Sequence, residues 1–269
     1  MKYSIVMSVY YKDQPEWLVD AIESLLNQTV PSDDIVIVAD GPLPKQVDAV
    51  LYNYVTSKKI RLIRLMKNMG LGHALNAGIK NAKHELVARM DSDDISVLNR
   101  FELQITAFKD NPELDILGGQ IAEFIDDPSN VVAYRKVPTS QQEIEKFARR
   151  RNPFNHPTVV FKKTFIEKVG CYDSSVIRLE DYDLWLRALS SGATCANLDS
   201  TLLKYRLTND SIKRRKTISS WKNHIRYRTR FYSREYISFS DYMYGLATQT
   251  LILIMPNWVV TGLYKEMAR

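Results

Sequence analysis

The stretch VARMDSDDIS, residues 87–96, ends an apolar run on Asp91, Asp93 and Asp94, three aspartates in four positions. Crowding like charges where a strand ends costs stability unless a cation or a set of donors stands opposite. The run is therefore either an exposed turn or the rim of a site that binds something positive. Its surroundings bear on the choice. YSIVMSV (3–9), DIVIVAD (34–40), IRLIRL (60–65) and ELVARM (85–90) are short apolar runs with strand composition. Between them lie helical patterns at 16–28, 45–57 and 72–82, the first placing Trp17, Ala21, Ser24, Leu25 and Gln28 at helical spacing with Pro15 near its start. Strand–helix alternation of this kind predicts an α/β fold, with a mostly parallel central sheet and helices on both faces. Crossovers in such sheets are right-handed, and ligands bind beyond the carboxyl ends of the strands. SVYYKD, DGP, KNMG and DSDD each follow a strand, so all four are expected on one rim.

Beyond residue 96 the pattern loosens. A helix is expected over VLNRFELQITAFKDN, a hairpin over LDILGGQIAEFI and VVAYRKV, a charged helix over QQEIEKFARRR and a strand over HPTVVFKK. LEDYDLWLRALSSG reads as a helix stopped by Gly192, and ATCANLDSTLLKYR as two short strands.

With 269 residues, 45% hydrophobic and 25% charged, the chain suits one large domain or a domain with an appendage. Cys171 and Cys195 fit neither a zinc spacing nor a disulfide framework and are expected as free thiols in a reducing cytoplasm. MKYSIVMSVYY runs straight into a strand pattern, with no sign of a leader segment.

The net charge of +6 is uneven. Residues 204–235 hold eleven Lys or Arg against two acids, a local +9, which leaves about −3 for the rest. With Trp221, Tyr227, Phe231 and Tyr232 interleaved, that segment suits an anionic surface or a solvated helix face. Residues 242–264 carry no charge over 23 positions. Such a length can span a bilayer, but Gln249, Pro256 and Asn257 interrupt it, and an interfacial helix with aromatic ends fits better.

The dinucleotide G-x-G-x-x-G, the P-loop and the G-x-S-x-G elbow are missing. What the chain offers is carboxylate chemistry. Hard divalent cations such as Mg²⁺ and Mn²⁺ take oxygen ligands, often one or two carboxylates plus substrate phosphates. Asp91 and Asp93 are so placed, with Asp94 a spare or a cap. Asp40, before Gly41-Pro42, can accept from a base N–H or a ribose hydroxyl, or serve as a turn aspartate. Glu180 and Asp181 open an amphipathic run and can cap it, or can deprotonate an acceptor hydroxyl.

The order of SVYYKD, ADG, KNMGLGHALNAGI, RMDSDD, NPFNHPTVVFKK and RLEDYDLWLR resembles glycosyltransferase family 2 over residues 3–210. The similarity is greatest to the bacterial branch that assembles O-antigen, capsule and exopolysaccharide. The resemblance implies a GT-A fold over 1–210 and a basic, aromatic helical extension over 211–269 that meets the membrane. It implies that Ser8, Val9 and Tyr10 line a nucleoside pocket and that Asp40 contacts uracil. Lys67, Asn68 and Gly70 would approach the donor, and Asp91 and Ser92 its ribose or sugar. Asp93, with Asp91, would hold Mn²⁺ or Mg²⁺ on the diphosphate. Asp181 would be the acceptor base, with Glu180 positioning the acceptor or sugar and His156 in the acceptor-side loop. Arg206 and Ser211 belong to a segment that closes over the diphosphate in some members, with Lys213 a further cation. Processive members carry Q-x-x-R-W and several membrane spans. This chain has neither, so it should add one sugar and release.

The expected activity is thus one-step inverting transfer of a hexose from a UDP-sugar. The acceptor would be an undecaprenyl-diphosphate-linked saccharide at the anionic inner face of the inner membrane, with galactose or glucose in a β linkage favoured on family habit. Two other readings use the same residues: a nucleic-acid binder built on 204–235, which lacks any accompanying nucleic-acid module, and an inactive sugar-nucleotide binder. Nucleic acid is not an expected partner.

Overall fold

The computed structural model describes residues 1–176, 178–207 and 217–255. Among these residues the sheet has nine strands. β1 (Tyr3–Val9), β2 (Asp34–Ala39), β3 (Arg61–Arg64) and β4 (Leu86–Met90) run parallel in the order β3-β2-β1-β4. β1, β2 and β4 are buried on both faces, which is why they read as unbroken apolar runs rather than alternating ones.

The crossover helices are α1 (Pro15–Leu26), α2 (Lys45–Thr56) and α3 (Leu71–Asn81). α1 begins on Pro15, whose missing N–H costs nothing at a helix start. Its buried stripe is Leu18, Ala21, Ile22 and Leu25. Trp17, placed on that stripe by spacing alone, lies on its shoulder and meets the guanidinium of Arg206. Gly78 lets α3 close onto β1, where a Cβ would fall 2.3 Å from Val6 Cγ1. One core cluster joins α1, α2 and α4 (Arg100–Asp110) to one sheet face, and another joins α3, α6 (Lys163–Lys168) and α7 (Glu180–Ser190) to the other.

The second half corrects the sheet in two ways. Beyond β4 it is mixed rather than parallel: β8 (Val160–Lys162) is antiparallel to both β4 and β6 (Ile116–Phe124), and β6 forms the expected hairpin with β7 (Val131–Arg135). Residues 195–206, read as two short strands, form one twelve-residue strand, β9 (Cys195–Arg206), parallel to β6. The polar NLDST stretch interrupts the apolar pattern because the register slips there, Gly119 facing Leu198 but Gln120 facing Thr201. HPTVVFKK likewise divides into a 3₁₀ turn over 156–158, β8 and the start of α6.

Short β5 (Ile95–Ser96), directly after the aspartates, pairs antiparallel with the end of β9. This pairing places Arg206 beside residues 93–94. α5 (Gln141–Ala148), opened by a capping box on Ser140 and Glu143, packs with α7, α8 (Ile218–Ser233) and α9 (Phe239–Ile254) in a third cluster of Ala148, Tyr182, Leu186, Tyr227, Phe231 and Ile237. Among the described residues no helix is long and apolar enough to cross a membrane. Residues 256–264 of the uncharged tract lie outside them.

Candidate active site

The four strand-end loops do meet on one rim. A cleft of about 810 Å³ is lined by Ser8 at the end of β1 and Tyr10 after it, Asp40 after β2, Asn68 and Gly70 after β3, and Asp91 to Asp93 after β4. The loops are tied to each other. Asp40 accepts from the backbone N–H of Met69 at 2.7 Å and of Gly70 at 2.9 Å, fixing the entry to α3. Gly41, at φ 88°, lies so close beneath the next loop that a Cβ would meet Asn68 N at 2.5 Å. Asp40 is therefore first an organiser of the KNMG loop, and its remaining lone pairs face the cleft.

Sequence reasoning passes over Asp13, the last residue of SVYYKD. One of its oxygens accepts from Tyr10 N–H at 3.0 Å and from Ser92 Oγ at 2.8 Å, linking the first loop to the aspartate run. Burial, with Asp91 nearby, pushes its carboxyl up to about 6. Its only sequence signal is its place in the same post-strand loop as Tyr10.

The three aspartates differ sharply. Asp91 receives both guanidinium nitrogens of buried Arg89. Asp94 is fully buried, and one oxygen accepts from Arg206 N–H at 2.9 Å while the other has no hydrogen-bond partner. Burial and the charges of Asp93 and Asp91 raise it well above the usual range. It neither caps a helix nor faces the cleft. Asp93 lines the cleft, and burial, then Asp91 and Asp13, push it up to about 7. Oxygens of the three lie within 4.8 Å of one another. An oxygen-rich cluster in which Asp93 lines the cleft and the buried Oδ2 of Asp94 behind it has no partner is a donor set that fits a hard divalent cation. With Asp91 already paired to Arg89, Asp93 is the ligand best placed.

Two expected donor residues stand elsewhere. Val9 is fully buried in the core and touches the rim only through its carbonyl, which accepts from Asp40 N–H at 2.8 Å. Lys67 is exposed on its loop and is not among the cleft-lining residues. Arg206 lines the cleft in another capacity. Its Nε donates to Asp93 O at 2.9 Å, its Nη2 pairs with Asp20 at 3.0 Å, and its guanidinium sits 5.1 Å from the Trp17 ring and 4.7 Å from that of Phe124. Such an arginine anchors the aspartate run to β9 rather than offering a free charge to a diphosphate. Ser211 and Lys213 lie outside the described residues. Arg178, which sequence reasoning passes over, is exposed, lines the cleft and adopts φ 72°, and its guanidinium forms no ion pair among the described residues.

Glu180 and Asp181 form the first turn of α7, directly after cleft-lining Arg178 and Leu179. Glu180 Oε2 is buried without a partner, and burial, then Asp181, push that carboxyl up to about 7. Asp181 is raised by burial against the opposing pull of Tyr182 N–H at 2.8 Å and Asn152 Nδ2 at 2.5 Å. His156 is largely buried beside it, Nδ1 3.9 Å from Asp181 Oδ2, against the rings of Trp185 and Tyr172. Its Nε2 meets Tyr172 Oη at 2.8 Å. Burial holds the imidazole neutral and the phenol protonated, so Tyr172 donates to Nε2 and the His156 proton resides on Nδ1, facing the carboxylate. His156 thus turns its Nδ1 toward the Asp181 carboxylate. Arg89 connects the two halves: paired with Asp91, it also lowers Glu180 and Asp181 by its charge.

The basic segment is only partly a surface feature. Arg228 is fully buried and donates to the carbonyls of Arg149, at 3.1 Å, and Asp241. Arg230 pairs with Asp173 and lies 3.7 Å from Asp183. Tyr227 and Phe231 are core residues, and Tyr232 stacks on Tyr242.

A mixed sheet that gathers an aspartate cluster into a cleft, with an acidic helix start directly after two of its lining residues, defines a GT-A-fold glycosyltransferase. Residues 4–183 match the model of the family described as Glycosyl transferase family 2, and the chain belongs to that family. It is 35% identical over 268 residues to the Escherichia coli UDP-Gal:alpha-D-GlcNAc-diphosphoundecaprenol beta-1,3-galactosyltransferase, covering 100% of this chain and 97% of that one. It is 37% identical to the amylovoran biosynthesis glycosyltransferase AmsE of Erwinia amylovora, covering 98% of each. Among solved structures it is similar in fold to S. aureus TarS 1–349 in complex with UDP-GlcNAc, with TM-score 0.65, 16% identity, and 94% of this chain and 70% of that one covered. The Pyrobaculum calidifontis mannosyltransferase PcManGT, in complex with GDP-Man and Mn²⁺, has TM-score 0.64 at 14% identity, with 99% and 80% covered.

Proposed function

We propose that the protein moves one hexose, with inversion, from a UDP-sugar to a lipid-diphosphate-linked saccharide. The observation that carries this reading is the cleft-lining pair Asp91 and Asp93, with Glu180 and Asp181 opening α7 directly after cleft-lining Arg178 and Leu179 and both pairs feeling the charge of the buried cation Arg89. Galactose as donor sugar and a β-1,3 linkage to GlcNAc find support in the likeness to the Escherichia coli beta-1,3-galactosyltransferase.

In this mechanism Ser8, Tyr10 and Asp40 hold the nucleoside, and Asp40 also fixes the loop that carries Asn68 and Gly70. A divalent cation held by Asp93, with Asp91 beside it, would add positive charge at the leaving diphosphate. Arg178 supplies a further cation from the protein itself. Asp181 accepts the proton of the acceptor hydroxyl as that oxygen bonds to the anomeric carbon. The bond from that carbon to the diphosphate oxygen breaks, and UDP leaves with the electron pair. Asn152 and His156 orient Asp181 and favour its ionised form, as a base requires. Glu180, at about 7, can hold a proton and donate to a sugar hydroxyl. Attack from the face opposite UDP turns an α-linked donor into a β-linked product.

Residues 211–269 form the membrane-facing extension in this reading. Met243, Tyr244, Leu251 and Ile254 are exposed along α9, an apolar stripe suited to the lipid of the acceptor and to the cytoplasmic face of the inner membrane. Lys222 and Arg226, exposed on α8, add charge for anionic headgroups.

Calorimetry of UDP binding with and without Mn²⁺, on wild type and Asp93→Ala, tests the donor site. Cation-dependent binding that the substitution abolishes is the expected outcome. Failure of UDP to bind under either condition sinks the reading. A UDP-sugar panel with NMR of the product anomer then identifies the sugar and tests inversion.

A further inference from the structure

The cleft has a wall to which none of the carboxylates belongs. Ser220, Asn223 and His224 of α8, together with Gln249 and Ile252 of α9, line the same space as Asp91 to Asp93. Positions 220, 223 and 224 share one face of α8, and 249 and 252 share one face of α9. Asn223, His224 and Gln249 are half-buried, and their side chains make no hydrogen bond or ion pair among the described residues. Burial and neighbouring Arg228 push His224 down to about 4, so its imidazole is neutral.

The chemistry of this wall is unusual for its helix. α8 carries Lys222, Arg226, Arg228 and Arg230, yet presents no charge to the cleft. Lys222 and Arg226 are exposed and absent from the cleft lining, while Arg228 and Arg230 turn inward to carbonyls and to Asp173 and Asp183. What remains is a hydroxyl, two amides, a neutral imidazole and one apolar side chain. Amides both donate to and accept from hydroxyl groups, and a neutral wall gives no particular advantage to a phosphate. An unpaired, half-buried set of this kind is suited to a ligand rich in hydroxyls.

α9 adds direction. Gln249 and Ile252 face the cleft, whereas Met243, Leu251 and Ile254 are exposed on other faces of the same helix. One helix thus meets a polar ligand on one side and offers apolar surface on another.

We propose that the α8–α9 wall is the subsite for the acceptor's saccharide, with Asn223, His224 and Gln249 hydrogen-bonding its hydroxyls while the lipid lies along the exposed stripe of α9. This rests on the glycosyltransferase reading above and names which residues select the acceptor within it. The Asp93 cluster and its rim serve the donor, and the helical wall serves the sugar that receives.

The test uses the full chain loaded with Mn²⁺. Asn223→Ala, Gln249→Ala and their double variant are compared with wild type, and Asn223→Asp is added because it keeps the shape of the side chain. UDP affinity is measured by calorimetry. Transfer is measured to a panel of lipid diphosphates carrying GlcNAc, GalNAc, glucose or galactose. The double variant is expected to raise the acceptor KM at least about tenfold, the loss of two hydrogen bonds, while UDP affinity stays within about twofold. Asn223→Asp should change the ranking of acceptors across the panel. An acceptor KM unchanged in the double variant overturns the proposal. So does a UDP affinity that falls as much as the acceptor KM rises, which would assign the wall to the donor. A wild-type protein that binds UDP but transfers to no member of the panel also overturns it, whereas a wild type that fails to bind UDP removes the donor reading instead.

Discussion

The two sides of the cleft are built in opposite ways. The donor rim comes from consecutive strand ends, at residues 8–13, 40–41, 68–70 and 91–93, each delivered by the same strand-to-helix crossover. The proposed receiving side is drawn from α8 and α9, which line the cleft, and from positions 152, 156, 172 and 181 behind its edge, which no repeated unit relates. The rim is held by backbone contacts such as Asp40 to Met69 and Gly70. The receiving side is held by buried side chains, above all Arg228 among carbonyls. A backbone-built rim tolerates change in its neighbours, whereas a side-chain-built wall depends on a few groups. Separate substitutions should therefore show whether the two sides fail independently.

The largest effect is expected at Asp181. In the proposed mechanism Asp181→Asn removes the base and should lower kcat by roughly 10²–10⁴-fold, while calorimetry finds UDP affinity within about twofold. A comparable loss of UDP affinity would show that the two sides are one site. Arg228→Leu comes next. It removes a buried cation and leaves carbonyls of Arg149 and Asp241 without their donor, a loss of roughly 2–4 kcal/mol. Limited proteolysis should cut first between residues 217 and 255, with the donor rim still binding UDP.

The third prediction concerns pH. Asp13, Asp93 and Glu180 are pushed up to about 6, 7 and 7, with burial the leading cause. Their folded values lie above their unfolded ones, so the folded state binds more protons between about pH 4 and 7. Stability of cation-free protein should fall as pH rises through that window, and Mn²⁺ should restore it at pH 8. Asp93→Asn removes one crowded charge. It should raise the cation-free melting temperature at pH 8 by roughly 2–6 °C and abolish the stabilisation by Mn²⁺. Scanning calorimetry across the pH range decides this, and a wild type whose stability climbs from pH 5 to 8 without cation would contradict it.

The smallest effect is at Tyr172. Tyr172→Phe frees His156 to carry its proton on Nε2, turning a lone pair toward Asp181. That disfavours the carboxylate, so the acid limb of the kcat/KM profile should move up by roughly half a pH unit. An unmoved limb would leave Tyr172 a packing residue.

Much of the donor side was legible from residue order. Asp40, Asn68, Gly70, Asp91 and Asp93 follow apolar runs, and the handedness of crossovers sends all such loops to one edge. Asp13 could have been found by the same reasoning. The pairing of acids with cations was not legible. Nothing local distinguishes Asp91, paired to Arg89, from Asp93, open to the cleft, or Asp94, sealed beneath β9. Arg206 looked like a diphosphate ligand until β5 paired with β9 and brought it against Asp20, Trp17 and Phe124.

By itself, then, the sequence determined the parallel strands, their rim and the acids upon it, because strand and helix periods and crossover handedness are properties of short segments. It also determined the hairpin of β6 and β7 and the helix that begins at Glu180. Only the tertiary structure decided which charges are shared and which are free, that β9 is one slipped strand, and that α8 and α9 return to line the cleft. Those outcomes depend on burial and on contacts between residues as far apart as 93 and 206, or 149 and 228. Charge state and exposure are set by what the folded chain places opposite a group, which local sequence does not contain.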